Sequence, residues 1–305
     1  MAVGLFASGT QKPALGAAQI DPLHPLGKDC IGVLLFNHPA PVIGITYAVP
    51  FIRGSGATGT TVPNAGPYRF LGQASTGPPT WVSSTEGLGV RIPGTNRPIL
   101  ASPNPSTSKQ VWLPETAVTV CVIRRRIDTV ARSATLVGLT SSTNPDRFNF
   151  RRNLDNSIDW DFGGITSPNR LTVAGIAVTT NPERWVITAG PHGSAIWLNG
   201  VKKASQPTAI TRTVSTALSF GLGAGNNPLT TDVQEFYYFA IYSSQWSDDL
   251  CRWWSAEPYA HFSMPTSRRY ALLGTPKVVP EATFANATLV TGLTWLELTR
   301  PSEMS

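Results

Sequence analysis

Between residues 117 and 243 the sequence keeps returning to one pattern, and that pattern leaves few folds open. Runs rich in Val, Ile, Thr and aromatic residues cover 117–127, 134–139, 147–151, 157–162, 170–173, 184–189, 195–198, 217–222 and 233–243. Clusters of Gly, Pro, Asn, Asp and Ser separate them at roughly ten-residue intervals. Short strands at that rhythm, joined by tight turns, build a sandwich or a barrel. The run 117–127 puts Val118, Val120 and Val122 on one face and Thr119, Cys121 and Ile123 on the other. Both faces are partly apolar, so this is a central strand. Upstream, 31–36, 42–52, 68–72 and 81–92 read as further strands. Within the last of these, 88–92 ends in the turn Pro93-Gly-Thr-Asn96, where Gly94 and Asn96 tolerate positive φ. Residues 54–66 and 102–108 read as rim loops.

One helix is expected. It starts at Ser247, which can cap it, with Asp248 and Asp249 at the positive end of the helix dipole, and Pro258 ends it. Trp253 and Trp254 would bury one side of it against the sheet. Residues 1–30 are turn-rich, without periodicity, and read as an N-terminal arm. Residues 31–262 form the sandwich, and 263–305 a tail with one or two strands, the β-prone stretches 270–273 and 283–298, suited to adding to a neighbour's sheet.

Composition agrees with a folded all-β chain: hydrophobic residues are 41% and charged residues 14%, with 27 glycines and 26 prolines scattered among the β-prone runs. The net charge of +6 comes from dispersed residues, apart from Arg124-Arg125-Arg126, Arg151-Arg152 and Arg268-Arg269. They are read as solvated strand faces, so no specific nucleic-acid partner is expected. Cys30, Cys121 and Cys251 are three and far apart, which points to buried free thiols. The first ten residues lack the basic and apolar regions of a secretory signal. The most apolar window, 31–52, is broken by His38, Pro39, Pro41 and Pro50, so no membrane partner is expected.

The segment Ala195-Ile-Trp-Leu-Asn-Gly-Val201, preceded by Arg184-Trp-Val and followed by the Phe220-Gly-Leu-Gly run, resembles laminin-G-like, concanavalin A-like jelly-roll domains. Asn199-Gly200 supplies the two-residue hairpin turn, with Ile196 and Leu198 on one face opposite Trp197. The resemblance implies an antiparallel two-sheet jelly-roll sandwich. The piece Trp254-Ser-Ala-Glu-Pro-Tyr-Ala-His-Phe262, then Pro265 and Arg268-Arg-Tyr270, is similar to the ending such domains carry in tailed-bacteriophage virion proteins. His24-Pro-Leu26 and Ile31-Gly-Val-Leu-Leu-Phe-Asn37 are similar to their openings. These matches imply a non-enzymatic structural protein of the virion, a capsid decoration or a tail or baseplate component, made in the host cytoplasm. Its partners would be other virion proteins and copies of itself, held through arm and tail. A carbohydrate-binding virion module that recognises a surface glycan is the alternative, and a glycan hydrolase the third reading.

The catalytic strand of jelly-roll glycanases, Glu-x-Asp-x-Glu, sets its carboxylates on one face. Asp159-Trp-Asp161 comes nearest, with two carboxylates and no Glu, and reads as surface or turn residues; Asp232-Val-Gln-Glu235 has the wrong parity. No catalytic residue is expected, and no cofactor other than calcium, for which Asp155, Asp159 and Asp161, beside Asn156, are candidate ligands. Capping a hairpin is the competing role for that cluster. His24, His38, His192 and His261 stand apart and read as loop or packing residues. Gly221-Leu-Gly-Ala-Gly225 is read as a β turn because no helix or Lys-Ser/Thr pair follows to make a phosphate loop. Trp81, Trp112 and Trp160 are candidate sugar-stacking platforms.

Overall fold

The computed structural model describes residues 19–34, 61–62, 71–74, 80–92, 99–102, 113–139, 144–213, 220–222 and 233–263. The first strands in chain order are β1 (Gln19–Ile20), β2 (Cys30–Leu34), β3 (Thr61–Val62), β4 (Leu71–Ala74), β5 (Thr80–Ser84), β6 (Gly87–Ile92) and β7 (Ile99–Ser102). Then come β8 (Val118–Arg126), β9 (Ala134–Leu139), β10 (Phe148–Arg152), β11 (Ile158–Phe162), β12 (Arg170–Val173), β13 (Glu183–Gly190), β14 (Gly193–Leu198) and β15 (Val201–Gln206). The chain continues through β16 (Phe220–Leu222), β17 (Gln234–Tyr242), α1 (Asp248–Ala256) and β18 (Phe262–Ser263).

Two antiparallel sheets face each other. One runs β12-β11-β10-β9-β16-β7-β4-β3, the other β15-β14-β13-β8-β17-β6-β5, and β2 pairs the second half of β17 beside β6. The fold is the all-β sandwich with one helix that the strand rhythm demands. Between the sheets lie Val118, Val120 and Val122 from β8 and Phe236, Phe239 and Ile241 from β17. Phe148, Phe150, Trp160 and Phe162 meet them from the facing sheet. The other side of β8 and β17 is buried too: Cys121, Ile123, Tyr238, Ala240 and Tyr242 lie in a second cluster with Trp197, Trp254 and Tyr259. Burial on both faces makes β8 central, as its two-sided apolar pattern requires.

The helix covers that second face. Ser247 caps it, its Oγ accepting from the Leu250 N–H at 3.4 Å, and Glu257 closes it one residue before Pro258. Only one of the two adjacent tryptophans is fully buried, because successive helical residues diverge by about 100°. Trp254 is buried while Trp253 stays 37% exposed.

Two readings are corrected and one strand is added. Residues 80–92 form the hairpin β5–β6, not one strand: Gly87, at φ 85°, opens the second arm, and Ser84 Oγ accepts from the Glu86 N–H at 3.1 Å. The Asn199-Gly200 turn, with φ values of 50° and 79°, leads into β15, whose largely exposed Val-Lys-Lys-Ala-Ser-Gln carries no apolar alternation to announce a strand. The end of the supposed arm packs on the chain's own sandwich, since β1 pairs β18 and Leu26 is buried in the second core cluster. Residues 1–18, the expected strand 42–52 and the tail beyond Ser263 lie outside the described residues, as do most of the two rim loops. No helix among the described residues is long and apolar enough to cross a membrane.

Candidate binding face

Strands β10, β11 and β12 are three adjacent strands with strict alternation. Phe148, Phe150, Ile158, Trp160, Phe162, Leu171 and Val173 enter the core, which sends Asn149, Arg151, Asp159, Asp161, Arg170 and Thr172 to the outer face. The registers align two polar rows there: Arg151 with Asp159 and Thr172, and Asn149 with Asp161 and Arg170. The second row runs on into glycines, Gly138 opposite Asn149 and Gly221 opposite Gly138, so the adjoining sheet carries no side chain at those positions.

Both aspartates are engaged on both oxygens. Asp159 Oδ2 accepts from Arg151 Nε at 3.1 Å, Arg151 Nη2 at 2.9 Å and Asn153 Nδ2 at 2.9 Å, while Oδ1 accepts from Thr172 Oγ1 at 2.8 Å. Asp161 Oδ1 accepts from Arg170 Nε at 2.5 Å, and Oδ2 from Arg170 Nη2 at 2.8 Å and Arg147 Nε at 3.1 Å. Burial raises the Asp159 carboxyl pKa, but the hydrogen bonds from Asn153, Thr172 and Arg151 outweigh it and hold the group below 3.8. The bond to Asp161 pushes the Arg170 guanidinium pKa up. The face is therefore a charge-assisted lattice of fixed donors and acceptors, with Arg151 and Arg170 partly open to solvent and Thr172 exposed.

This placement corrects the surface-or-turn reading of Asp159 and Asp161, which are buried in ion pairs. Each of their four oxygens is already engaged by a donor of the protein. Asp155 instead caps the β10–β11 turn, its Oδ1 accepting from the Ser157 N–H at 2.9 Å and Ser157 Oγ at 2.7 Å, where Asn156 takes φ 63°. The described residues hold no group of three or more His, Cys, Asp or Glu placed to bind a metal ion. Trp160 is corrected as well: it is fully buried and its indole N–H donates to the Thr188 carbonyl at 3.1 Å, so no sugar can stack on it. Trp81 sits in β5 opposite Val90, and Trp112 lies outside the described residues.

The reading of the basic runs as solvated faces fails at Arg124, Arg126 and Arg152, all fully buried at one end of the sandwich interior. Glu183 bridges two of them, 2.8 Å from Arg124 Nη2 and 3.4 Å from Arg152 Nη2, and accepts the Trp185 indole N–H at 2.8 Å. Arg124 Nη1 donates to Gln234 Oε1 at 2.7 Å, Arg152 Nη1 to the Ile176 carbonyl at 3.1 Å, and Arg126 to the Val130 carbonyl. The signal was in the parity: Arg124 and Arg126 continue the inward series Val118, Val120, Val122, and Arg152 continues Phe148, Phe150. On the outer side of the second sheet, Glu235 accepts from Arg91, Arg125 and the Tyr237 hydroxyl. Burial raises its pKa, and the bonds from Tyr237, Arg91 and Arg125 bring it below the usual glutamate range. Burial and that bond push the Tyr237 phenol up to about 12.

The architecture defines a fold class, the antiparallel two-sheet β-sandwich, and solved structures of similar fold are found. The binding domain of botulinum neurotoxin DC, solved in complex with rat synaptotagmin II, matches with a TM-score of 0.51 at 10% identity over 75% of this chain and 51% of that one. Trypanosoma rangeli sialidase in complex with sialic acid matches with a TM-score of 0.50 at 10% identity over 78% of this chain and 36% of that one. This chain thus spans about a third to a half of those proteins, and the likeness is one of fold. No protein-family model and no curated protein sequence matches it.

Proposed function

We propose that this chain is a non-enzymatic recognition module that binds a glycan on the outer face of β10, β11 and β12. The state of Asp159 and Asp161 carries the reading. A general acid or a nucleophile needs a carboxylate free to exchange a proton or attack, and these two are held in ion pairs and hydrogen bonds by Arg147, Arg151, Arg170, Asn153 and Thr172. What such a lattice offers is a set of donors and acceptors locked in position, which suits the hydroxyls of a sugar. The fold likeness to a toxin binding domain supports recognition as the activity class, and a sialidase in complex with sialic acid shares the fold.

A second reading, that the module is a component of a tailed-phage virion, has its support in the sequence resemblance at residues 24–37 and 254–270. The pairing of Gln19 with Ser263 favours it too, because it sets these two residues side by side, a suitable place for joint attachment to a neighbouring subunit. The test is a glycan array of sialylated and neutral oligosaccharides, paired with a hydrolysis assay on the same sugars. Binding without turnover is expected, and Thr172→Trp, which covers the exposed end of one polar row, should abolish it without lowering the melting temperature. Binding to no glycan, or binding indifferent to Thr172→Trp, would overturn the assignment; hydrolysis would overturn its non-enzymatic character.

A further inference from the structure

Residues 19–28 form a strap held to the sandwich by few bonds. Its ladder is two residue pairs long, Gln19 with Ser263 and Ile20 with Phe262, extended by the Asp21 N–H donating to the His261 carbonyl at 2.8 Å. The strap then coils around His24: the Gly27 and Lys28 N–H groups donate to the His24 carbonyl at 2.8 and 3.0 Å. Leu26, fully buried, plugs the aromatic cluster, and Gly27 is required there because a Cβ would lie 2.0 Å from the Asp21 carbonyl oxygen. Asp29, at φ 59°, joins the strap to β2, and its carbonyl accepts from the Ser243 N–H at 2.9 Å.

Two histidine rings stand at this strap, and the bond that His24 makes requires its neutral form. The Leu26 N–H donates to His24 Nδ1 at 3.1 Å, so that nitrogen must present a lone pair; a proton on it sets two donors against each other. The His24 ring packs 4.9 Å from Trp253 and 6.4 Å from His261. His261 is fully buried, with Nε2 3.1 Å from the Tyr238 hydroxyl and 3.4 Å from that of Tyr242, and with Nδ1 lacking a hydrogen-bond partner.

We propose that the strap is an acid-operated latch: protonation of His24 and His261 releases residues 19–28 and uncovers the aromatic cluster beneath, while the two-sheet body stays folded. The groups facing these rings agree. His24 meets Asp21 on its own strap, Glu257 after the helix and His261 behind it; the two carboxylates favour a proton there, but burial outweighs them and its pKa is lowered. Around His261 stand His24, Tyr238 and Tyr242, with Cys30 and Cys121 in the same cluster, and no carboxylate among them. Burial brings His261 down to about 3, with His24 adding to the effect. The sign follows from linkage. Both imidazoles are weaker bases in the closed strap than the free value of 6.5. The released strap therefore takes up protons first, and closure, complete above 6.5, weakens as pH falls below it, by about tenfold per pH unit through His261 and further through His24. By about pH 5, His261 alone shifts the equilibrium about thirtyfold towards release.

Hydrogen exchange of the full chain at about pH 7 and about pH 5, corrected for intrinsic rates, reads this directly. The amides of residues 21–28 should lose about thirtyfold or more in protection at the lower pH, with β8 unchanged. The double variant H24Q/H261Q, which keeps polar groups in place and removes both titrations, should keep its strap closed at both pH values. Equal strap protection at the two pH values in the natural sequence, or the same loss in the variant, overturns the latch. A variant-free check is the NMR titration of the imidazole protons: closure that opposes protonation places the apparent midpoints below 6.5, whereas titration of both rings at 6.5 with the strap still protected refutes the proposal.

Discussion

Replacing Asp161 by Asn is the sharpest probe of the polar lattice. Asp161 is fully buried, and its carboxylate joins the buried Arg147 to the partly exposed Arg170 through three hydrogen bonds. Asparagine keeps the volume and one acceptor, but its amide nitrogen meets at least one guanidinium donor whichever way it turns. Removing one partner of a buried ion pair costs about 3–5 kcal/mol. Because the Arg170 side chain is 24% exposed and can recover solvation, the lower end applies, about 3 kcal/mol. Urea unfolding followed by tryptophan fluorescence should show that loss as a lower midpoint with unchanged slope, matched by a fall of about 6–12 °C in melting temperature. Asp155→Asn, at an exposed turn, should leave the urea midpoint far less changed than Asp161→Asn does. A loss below about 1 kcal/mol for Asp161→Asn would refute the reading of Asp161 as the buried hub of the face.

Three further outcomes follow from single contacts. Ser247→Ala removes the acceptor for the Leu250 N–H and should cost about 1 kcal/mol, with faster hydrogen exchange in the first turn of α1. Gly193→Ala places a Cβ 1.8 Å from the Gln206 carbonyl oxygen at φ 86°, and should destabilise by at least about 3 kcal/mol in the same urea assay. An aromatic disulfide reagent should label none of the three thiols in the native protein at about pH 8. All are free and buried, and burial raises each pKa, that of Cys251 to about 12; all three should react on denaturation.

Where a feature depends on residues adjacent in sequence, it was legible in the sequence. Strands 134–139 and 170–173 were read with their observed bounds, and Asn199-Gly200 and Ser247 take the turn and cap that their own chemistry prefers. The inward and outward halves of β8 and β11 also came from alternation alone, including the shared face of Asp159 and Asp161. The hairpin at Ser84 to Gly87 was missed because Thr85-Glu86 carries no Asn-Gly or Asp-Gly signature, and β15 because an exposed edge strand can be polar on both faces.

The sequence by itself determined the kind of fold: period-two apolar runs separated by turn residues bury their side chains in a sandwich or a barrel. It determined too that a capped helix would follow β17. Tertiary structure alone decided which partners the buried charges meet. Nothing near Arg124 in sequence announces Gln234, nor does the neighbourhood of Asp161 announce that a guanidinium on each flank will occupy it. Local preference acts over a few residues, whereas the cost of burying a charge is settled by the partner that a neighbouring or distant strand brings to it. The same holds for the strap: Leu26 and His24 look like part of a loose arm until β18 and Trp253 arrive from the far end of the described chain to hold them.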